Sequence, residues 1–356
     1  MALNIGETVG DYRVLDLLGV GGMGSVYRVQ NVITDREEAM KVLLPDLRSA
    51  PELAERFGRE IKIHASLEHP NIASLRTALR LDNQLLMVME LVNGITLEKR
   101  LRQSPVELWQ GVDWVIQILS ALSYAHGRGV IHRDIKPANV MITPANIIKL
   151  TDFGIASMAA EERRLTRTGV AIGSLPYMSP EQIRADEPDA RSDLYSLGVT
   201  FYEMLSGRRA FEGKSEYELM RAQLELQPTP LSSFNPGLPH AIVTAVERAM
   251  AKQPENRFQT AQEFQIALER AKQPLLSSEP SRPAPFQTPA PATTSLDPAR
   301  IERLRKELAQ YVGPMARILV DRAAKKAVSL QQLYEMVAAE IPKPKDRESF
   351  LTNRGR

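Results

Sequence analysis

Between residues 132 and 154 the chain reads His132-Arg133-Asp134-Ile135-Lys136-Pro137-Ala138-Asn139, then a short apolar and turn segment, then Asp152-Phe153-Gly154. One carboxylate stands five residues before an amide, and a second stands thirteen residues after that amide. Moving a phosphoryl group from a nucleotide asks for such a set. A carboxylate must orient the attacking hydroxyl, oxygen ligands must hold Mg²⁺, and a cation must offset the charge on the moving phosphate. Asp134 fits the first role, Asn139 and Asp152 the second, and Lys136 the third.

This stretch resembles the catalytic loop and metal-binding motif of protein kinases. Its Asp134-Ile135-Lys136-Pro137 is similar to the serine/threonine form of the loop, whereas tyrosine kinases carry an arginine and alanines there. Gly173-Ser174 agrees with the serine/threonine form, and Ser174 is read as structural. The resemblance is to bacterial Hanks-type (eukaryotic-like) serine/threonine kinases. It implies an α+β, bilobal fold with a small β-rich N-lobe and a large α-helical C-lobe. It also implies ATP with Mg²⁺ (Mn²⁺ as a substitute), protein substrates and autophosphorylation.

The elements that must position these groups follow the same pattern. Val14 to Leu18 reads as a strand, followed by Gly19-Val20-Gly21-Gly22-Met23-Gly24-Ser25-Val26. Glycines let a backbone approach phosphates and present N–H donors to them. The same spacing occurs in dinucleotide-binding folds, where it opens a helix. Here two further strands follow, at 26–29 and 39–43, around a turn at Thr34-Asp35-Arg36, and no Gly-Lys-Ser/Thr of a Walker loop is present. The resemblance therefore assigns Leu18 to Val26 to ATP binding, including Gly19, Val20, Gly21, Gly22, Met23, Gly24 and Ser25. It assigns Lys41 to the α and β phosphates, with Glu60 as its partner on a helix over 49–67. A solvated strand lysine is the competing reading of Lys41. Leu85 to Val92 reads as a buried strand. By resemblance Met89 backs the adenine pocket, and Glu90 and Val92 lie in the hinge that binds adenine.

Ser104-Pro105-Val106-Glu107 has the form of a helix start. His132 is read as bracing the loop or Asp152, and Arg133 as a partner for a phosphate on the activation segment. That segment runs by resemblance from Asp152 to Glu181, and Thr166 and Thr168 are its expected phosphorylation sites. Asp193 is expected to start a helix and to support the catalytic-loop backbone. Arg257 is expected to pair with Glu181, and a last helix is expected over 260–271.

Of 356 residues, none is cysteine, which excludes disulfides, thiolate metal sites and a cysteine nucleophile and fits a reducing, cytoplasmic setting. The opening residues carry no basic segment followed by an apolar one, and no apolar run approaches the ~20 residues of a membrane span. The net charge is +2, but residues 298–356 hold 13 Lys+Arg against 7 Asp+Glu, leaving the rest acidic.

The expected organisation is a kinase domain at 12–272, a Pro/Ser/Thr-rich disordered linker at 273–296, a three-helix module at 297–342 and a frayed tail at 343–356. Within the module, Ile301, Leu304, Leu308 and Tyr311 form one apolar face and Met315, Ile318 and Leu319 a second. Leu330, Leu333, Tyr334, Val337 and Ile341 form the third. Faces this small are expected to need a docking surface or self-association. A catalytically silent nucleotide sensor is disfavoured because every catalytic position is intact. Nucleic-acid binding is disfavoured because the basic end lacks interleaved aromatic residues.

Overall fold

The computed structural model describes residues 3–21, 24–43, 58, 61–81, 84–153, 174–277, 298–324, 330–341, 343, 346–347 and 350–351. The chain divides into two compact units, at 1–279 and 280–356.

In the first unit, strands β1 (Thr8–Val9), β2 (Tyr12–Gly21), β3 (Gly24–Asn31), β4 (Glu37–Leu43), β5 (Leu75–Leu81) and β6 (Gln84–Glu90) form one antiparallel sheet. Its order is β1-β2-β3-β4-β6-β5. β4 and β6 lie inside the sheet, each paired with a strand on both sides. Accordingly β6 is an almost unbroken apolar run with Leu86, Met87 and Val88 buried, as a strand covered on both faces requires. Val14, Tyr27, Val29, Met40, Val42, Leu86 and Val88 make the core of this lobe.

A second sheet, β7 (Ile95–Thr96), β8 (Val140–Ile142) and β9 (Ile148–Leu150), carries the segments between which the catalytic residues lie. Gly94 enters it where a side chain would collide with the Ile142 carbonyl, so only glycine fits that approach.

The helical lobe packs α1 (Leu97–Gln103), α2 (Leu108–His126), α3 (Pro180–Arg184), α4 (Ala190–Ser206), α5 (Glu216–Glu225), α6 (His240–Ala249) and α7 (Ala261–Ser277). Helix α4 is buried nearly all round, from Ser192 to Tyr202, which makes it the central post of the lobe. Gly198 lets it approach α6, because an added Cβ would stand 2.8 Å from that of Ala249.

Several expected boundaries move. The helix expected at Ser104 begins at Leu108, because Ser104 instead ends α1, where Arg100 Nη1 donates to both its carbonyl and its hydroxyl at 2.7 Å. Helix α4 begins at Ala190, capped by the Asp189 carboxylate, so Asp193 lies within its first turn. Helix α7 runs to Ser277, past the expected domain end at 272.

The second unit contains α8 (Pro298–Val312), α9 (Ala316–Ala324) and α10 (Leu330–Ala338), with a 3₁₀ turn at Gly313–Met315. Its faces bury one another, contrary to the expectation from size: Leu304, Leu308, Val320 and Leu333 are fully buried. Met315 points out to solvent, and Val320 and Ala323 supply the α9 face instead. The core also extends past residue 342. Phe350 is buried against the Tyr311 and Tyr334 rings, and Arg347 Nη2 donates to the Ala339 and Ile341 carbonyls at 3.0 Å. The frayed tail expected from 343 is therefore corrected, because this aromatic contact closes the module. No helix among the described residues is long and apolar enough to cross a membrane.

Candidate active site

The segment joining α2 to β8 holds Asp134, Lys136 and Asn139. Arg133, just before Asp134, takes a left-handed φ of 67°, and Asp152 takes 62°. Non-glycine residues hold such backbone only where their surroundings fix it. Asp193 supplies part of that restraint, as expected. Its Oδ1 accepts the Arg133 N–H and its Oδ2 the His132 N–H, both at 2.8 Å, and His126 Nε2 lies 2.8 Å from Oδ2. Burial pushes the Asp193 carboxyl up, but the His126 hydrogen bond and charge and the His132 contacts outweigh it, so the group is held below its ordinary value.

His132 braces the loop from the other side. Its Nε2 lies 2.9 Å from the Thr151 carbonyl, and its ring packs on Phe153 with centroids 4.5 Å apart. Thr151 N–H in turn donates to the Asn139 carbonyl at 3.0 Å. The two metal-ligand candidates, Asn139 and Asp152, are thereby tied into one backbone network.

Asp134 and Asn139 are buried. Asp134 Oδ2 accepts from Lys136 Nζ at 2.7 Å and from Asn139 Nδ2 at 2.9 Å. Asn139 Nδ2 also donates to the Asp134 carbonyl at 2.9 Å. Lys136 Nζ reaches onward to Ser174 Oγ at 2.7 Å, so the hydroxyl expected to be structural is wired to the candidate catalytic pair.

Lys41, buried on β4, donates to Asp152 Oδ1 at 2.5 Å. Burial alone would raise the Asp152 carboxyl, but the Lys41 charge and hydrogen bond hold it below its ordinary range, so it is an anion at neutral pH. No described residue bonds Asn139 Oδ1 or the second Asp152 oxygen. This pair of hard oxygen donors fits Mg²⁺, which takes one or two protein ligands and fills its shell with water and phosphate oxygens. No cluster of three or more His, Asp or Glu side chains among the described residues offers an all-protein cage instead.

Leu18, Gly19, Val20 and Gly21 end β2, and Gly24, Ser25 and Val26 open β3, paired as Gly19↔Val26, Val20↔Ser25 and Gly21↔Gly24. A register shift between Leu17 and Gly19 bends the hairpin at Leu18. Gly22 and Met23 lie outside the described residues, as do Glu60, Thr166 and Thr168 and most of the helix expected over 49–67.

At the expected hinge, Met89 is buried and the Glu90 N–H donates to the Ser74 carbonyl at 2.9 Å. The Glu90 carboxylate takes Lys149 Nζ at 2.8 Å and the Ser74 N–H at 3.2 Å. Burial would raise this carboxyl, and Lys149 and Ser74 together bring it below its usual range. No described residue hydrogen-bonds the Val92 N–H.

Glu181 and Arg257 meet as expected in a bidentate pair at 2.7 and 2.8 Å. Sequence reasoning missed Lys149, because nothing in spacing links it to Glu90 across 59 residues. It also missed Gln182, although Ser179 and Gln182 stand at capping-box spacing.

Residues 12–267 match the family described as Protein kinase domain, and residues 299–354 match Domain of unknown function (DUF8082). Serine/threonine-protein kinase PrkC of Bacillus subtilis is 36% identical over 269 residues, covering 75% of this chain and 41% of that protein. Serine/threonine-protein kinase PknB of Mycobacterium leprae is 39% identical over 262 residues, covering 72% of this chain and 42% of its own length. The chain thus spans less than half the length of these relatives. A crystal structure of the PknI kinase domain of M. tuberculosis is similar with a TM-score of 0.63 and 31% identity, covering 76% of this chain and 100% of that one. With the family match spanning both lobes and the catalytic loop, the chain belongs to the protein kinase family, among the bacterial Hanks-type serine/threonine kinases.

Proposed function

We propose that this chain transfers the γ-phosphate of ATP to serine and threonine hydroxyls of proteins, its own included, in bacterial signal transduction in the cytoplasm. The observation that carries the reading is the contact chain Ser174–Lys136–Asp134–Asn139, knit through Thr151 to the Asp152–Lys41 pair. In it, Asp134 orients the acceptor hydroxyl and takes its proton. Lys136 offsets charge on the transferred group. Lys41, set by Glu60, places the α and β phosphates, and the hairpin from Leu18 to Val26 covers them. Glu90 and Val92 hold adenine through the hinge backbone. Asn139 and Asp152 would hold Mg²⁺, which would supply neutralisation of the charge on the transferred phosphate; Mn²⁺ has compatible chemistry. Catalysis by these residues is positioning and electrostatics, with little covalent work for the protein.

Arg133 has no carboxylate partner among the described residues, which supports a phosphate on Thr166 or Thr168 as its counter-ion. The kinase domain at 12–272 and the module beginning at 297 serve separate roles in this reading, the module mediating self-association or partner docking. Incubation with γ-labelled ATP and Mg²⁺ tests the proposal: label is expected on phosphoserine and phosphothreonine, with Thr166 or Thr168 among the mapped sites. Label on tyrosine alone, or none, would overturn it.

A further inference from the structure

Asp193 accounts for only one side of the strained peptide before Asp134. The Arg133 N–H is held by that carboxylate, but the Arg133 carbonyl points the other way, toward the close of the activation segment. There Gln182 Nε2 donates to it at 2.8 Å. The same amide is used at its other end, where Gln182 Oε1 accepts the Ser179 N–H at 3.0 Å and the Ser179 hydroxyl at 3.1 Å. The two partners fix which end of the amide is which. A backbone carbonyl only accepts and a backbone N–H only donates, so nitrogen must face Arg133 and oxygen Ser179.

Resting on the kinase reading, we infer that Gln182 is a positioning residue for phosphoryl transfer: it locks the Arg133–Asp134 peptide and so reports the state of the activation segment's C-terminal end to the orienting carboxylate. Three facts make the link specific. Arg133 is in a left-handed conformation that its own residue type does not favour, at φ 67°. With Asp193 on the N–H and Gln182 on the carbonyl, both backbone polar groups of Arg133 are held from outside the loop. Finally, Ser179 and Gln182 are rigidly placed. Ser179 is fully buried, Gln182 is the third residue of a short helix with proline at its first position, and that same helix is anchored by the Glu181–Arg257 pair. A shift of Ser179 is therefore passed through one amide to the peptide that feeds Asp134.

A capping role alone would make a different demand on this position. Glutamate caps as well as glutamine, since Oε1 does the accepting. It cannot donate to a carbonyl. Gln182→Glu thus keeps the acceptor at the helix start, removes the donor to Arg133 and turns a carboxylate oxygen toward that carbonyl.

The experiment compares the full-length wild type and Gln182→Glu with casein as acceptor, measuring melting temperature, KM for ATP and kcat. The expected result is a variant of near wild-type melting temperature and KM for ATP, with kcat lowered about tenfold or more, the effect of one lost hydrogen bond felt at the orienting group. Wild-type kcat in a folded Gln182→Glu chain would overturn the inference and leave Gln182 as a helix cap. If Gln182→Glu melts early, Gln182→Met is measured below its own melting point: lowered kcat at unchanged KM for ATP supports the inference, and retained kcat overturns it. Absence of transfer by the wild type to casein and to itself would instead remove the kinase reading on which the inference rests.

Discussion

Lys41 and Asp193 are both buried and charged, yet their substitution has different consequences. Lys41 bonds Asp152 alone among the described residues, and that carboxylate keeps 29% of its side chain exposed. Asp193 satisfies three donors inside the lobe: the His132 and Arg133 N–H groups and His126 Nε2. Removing a buried partner that several donors share costs about 3–5 kcal/mol. Lys41→Ala is therefore expected to lose nearly all transfer with melting temperature changed little. Asp193→Ala is expected to lose transfer and several kcal/mol of stability together. Thermal melts beside activity assays separate them, and an Asp193→Ala chain as stable as wild type would remove Asp193 from the scaffold.

Helices α3 and α4 and the segment before α7 are joined by the Glu181–Arg257 pair. Burial pushes the Glu181 carboxyl up, but the Arg257 hydrogen bonds and charge, with Ser192, hold it down at about 2, against an ordinary 4.5. A carboxyl depressed by folding stabilises the protein above its unfolded pKa and loses that contribution as pH falls through its folded one. The pair is thus expected to contribute about 3 kcal/mol at neutral pH, lost between pH 4.5 and about 2. Urea unfolding of wild type and Glu181→Gln is expected to differ by about that amount at pH 7 and to converge near pH 2. A constant gap across the window would assign the stability elsewhere.

This pair was legible in the sequence because motif order placed Glu181 and Arg257 at matching positions, and so was the contact of Asp193 with the loop. Lys41, Asp134, Lys136, Asn139 and Asp152 were legible as residues, but the wiring of Lys136 to Ser174 was not, since a small hydroxyl carries no mark of its partner. Helix starts were less legible. Ser104-Pro105 looks like an N-terminus, yet Arg100 claims the serine first. Asp193 looked like the start of α4, but a helix buried on all sides hides its beginning, and Asp189 caps it one turn earlier.

The whole molecule is two units with separate cores. The second closes around Phe350, which touches Tyr311 and Tyr334 and is only 3% exposed. Truncating a buried phenylalanine costs about 3–5 kcal/mol, comparable with the entire stability of so small a fold. Phe350→Ala is expected to unfold residues 297–356 while leaving the first unit's melting transition in place, read by circular dichroism of that segment and calorimetry of the full chain. A module that stays helical without this ring would place its core elsewhere. A chain ending at residue 279 is expected to keep transfer, because Lys41, Asp134, Asn139 and Asp152 all precede that point. Its rate or its oligomeric state by light scattering is expected to differ from the full chain, and identity in both would leave the module without the proposed role.

In the proposed γ-phosphoryl transfer, everything turns on Asp134 orienting the acceptor hydroxyl. Single-turnover transfer by wild type and Asp134→Asn, with ATP affinity measured separately, addresses it most directly. The substitution keeps the side chain's size and its place beside Lys136 and Asn139. ATP affinity within a few-fold of wild type and a transfer rate lowered by about 10²–10⁴-fold are expected. An Asp134→Asn chain that transfers phosphate at the wild-type rate would contradict it.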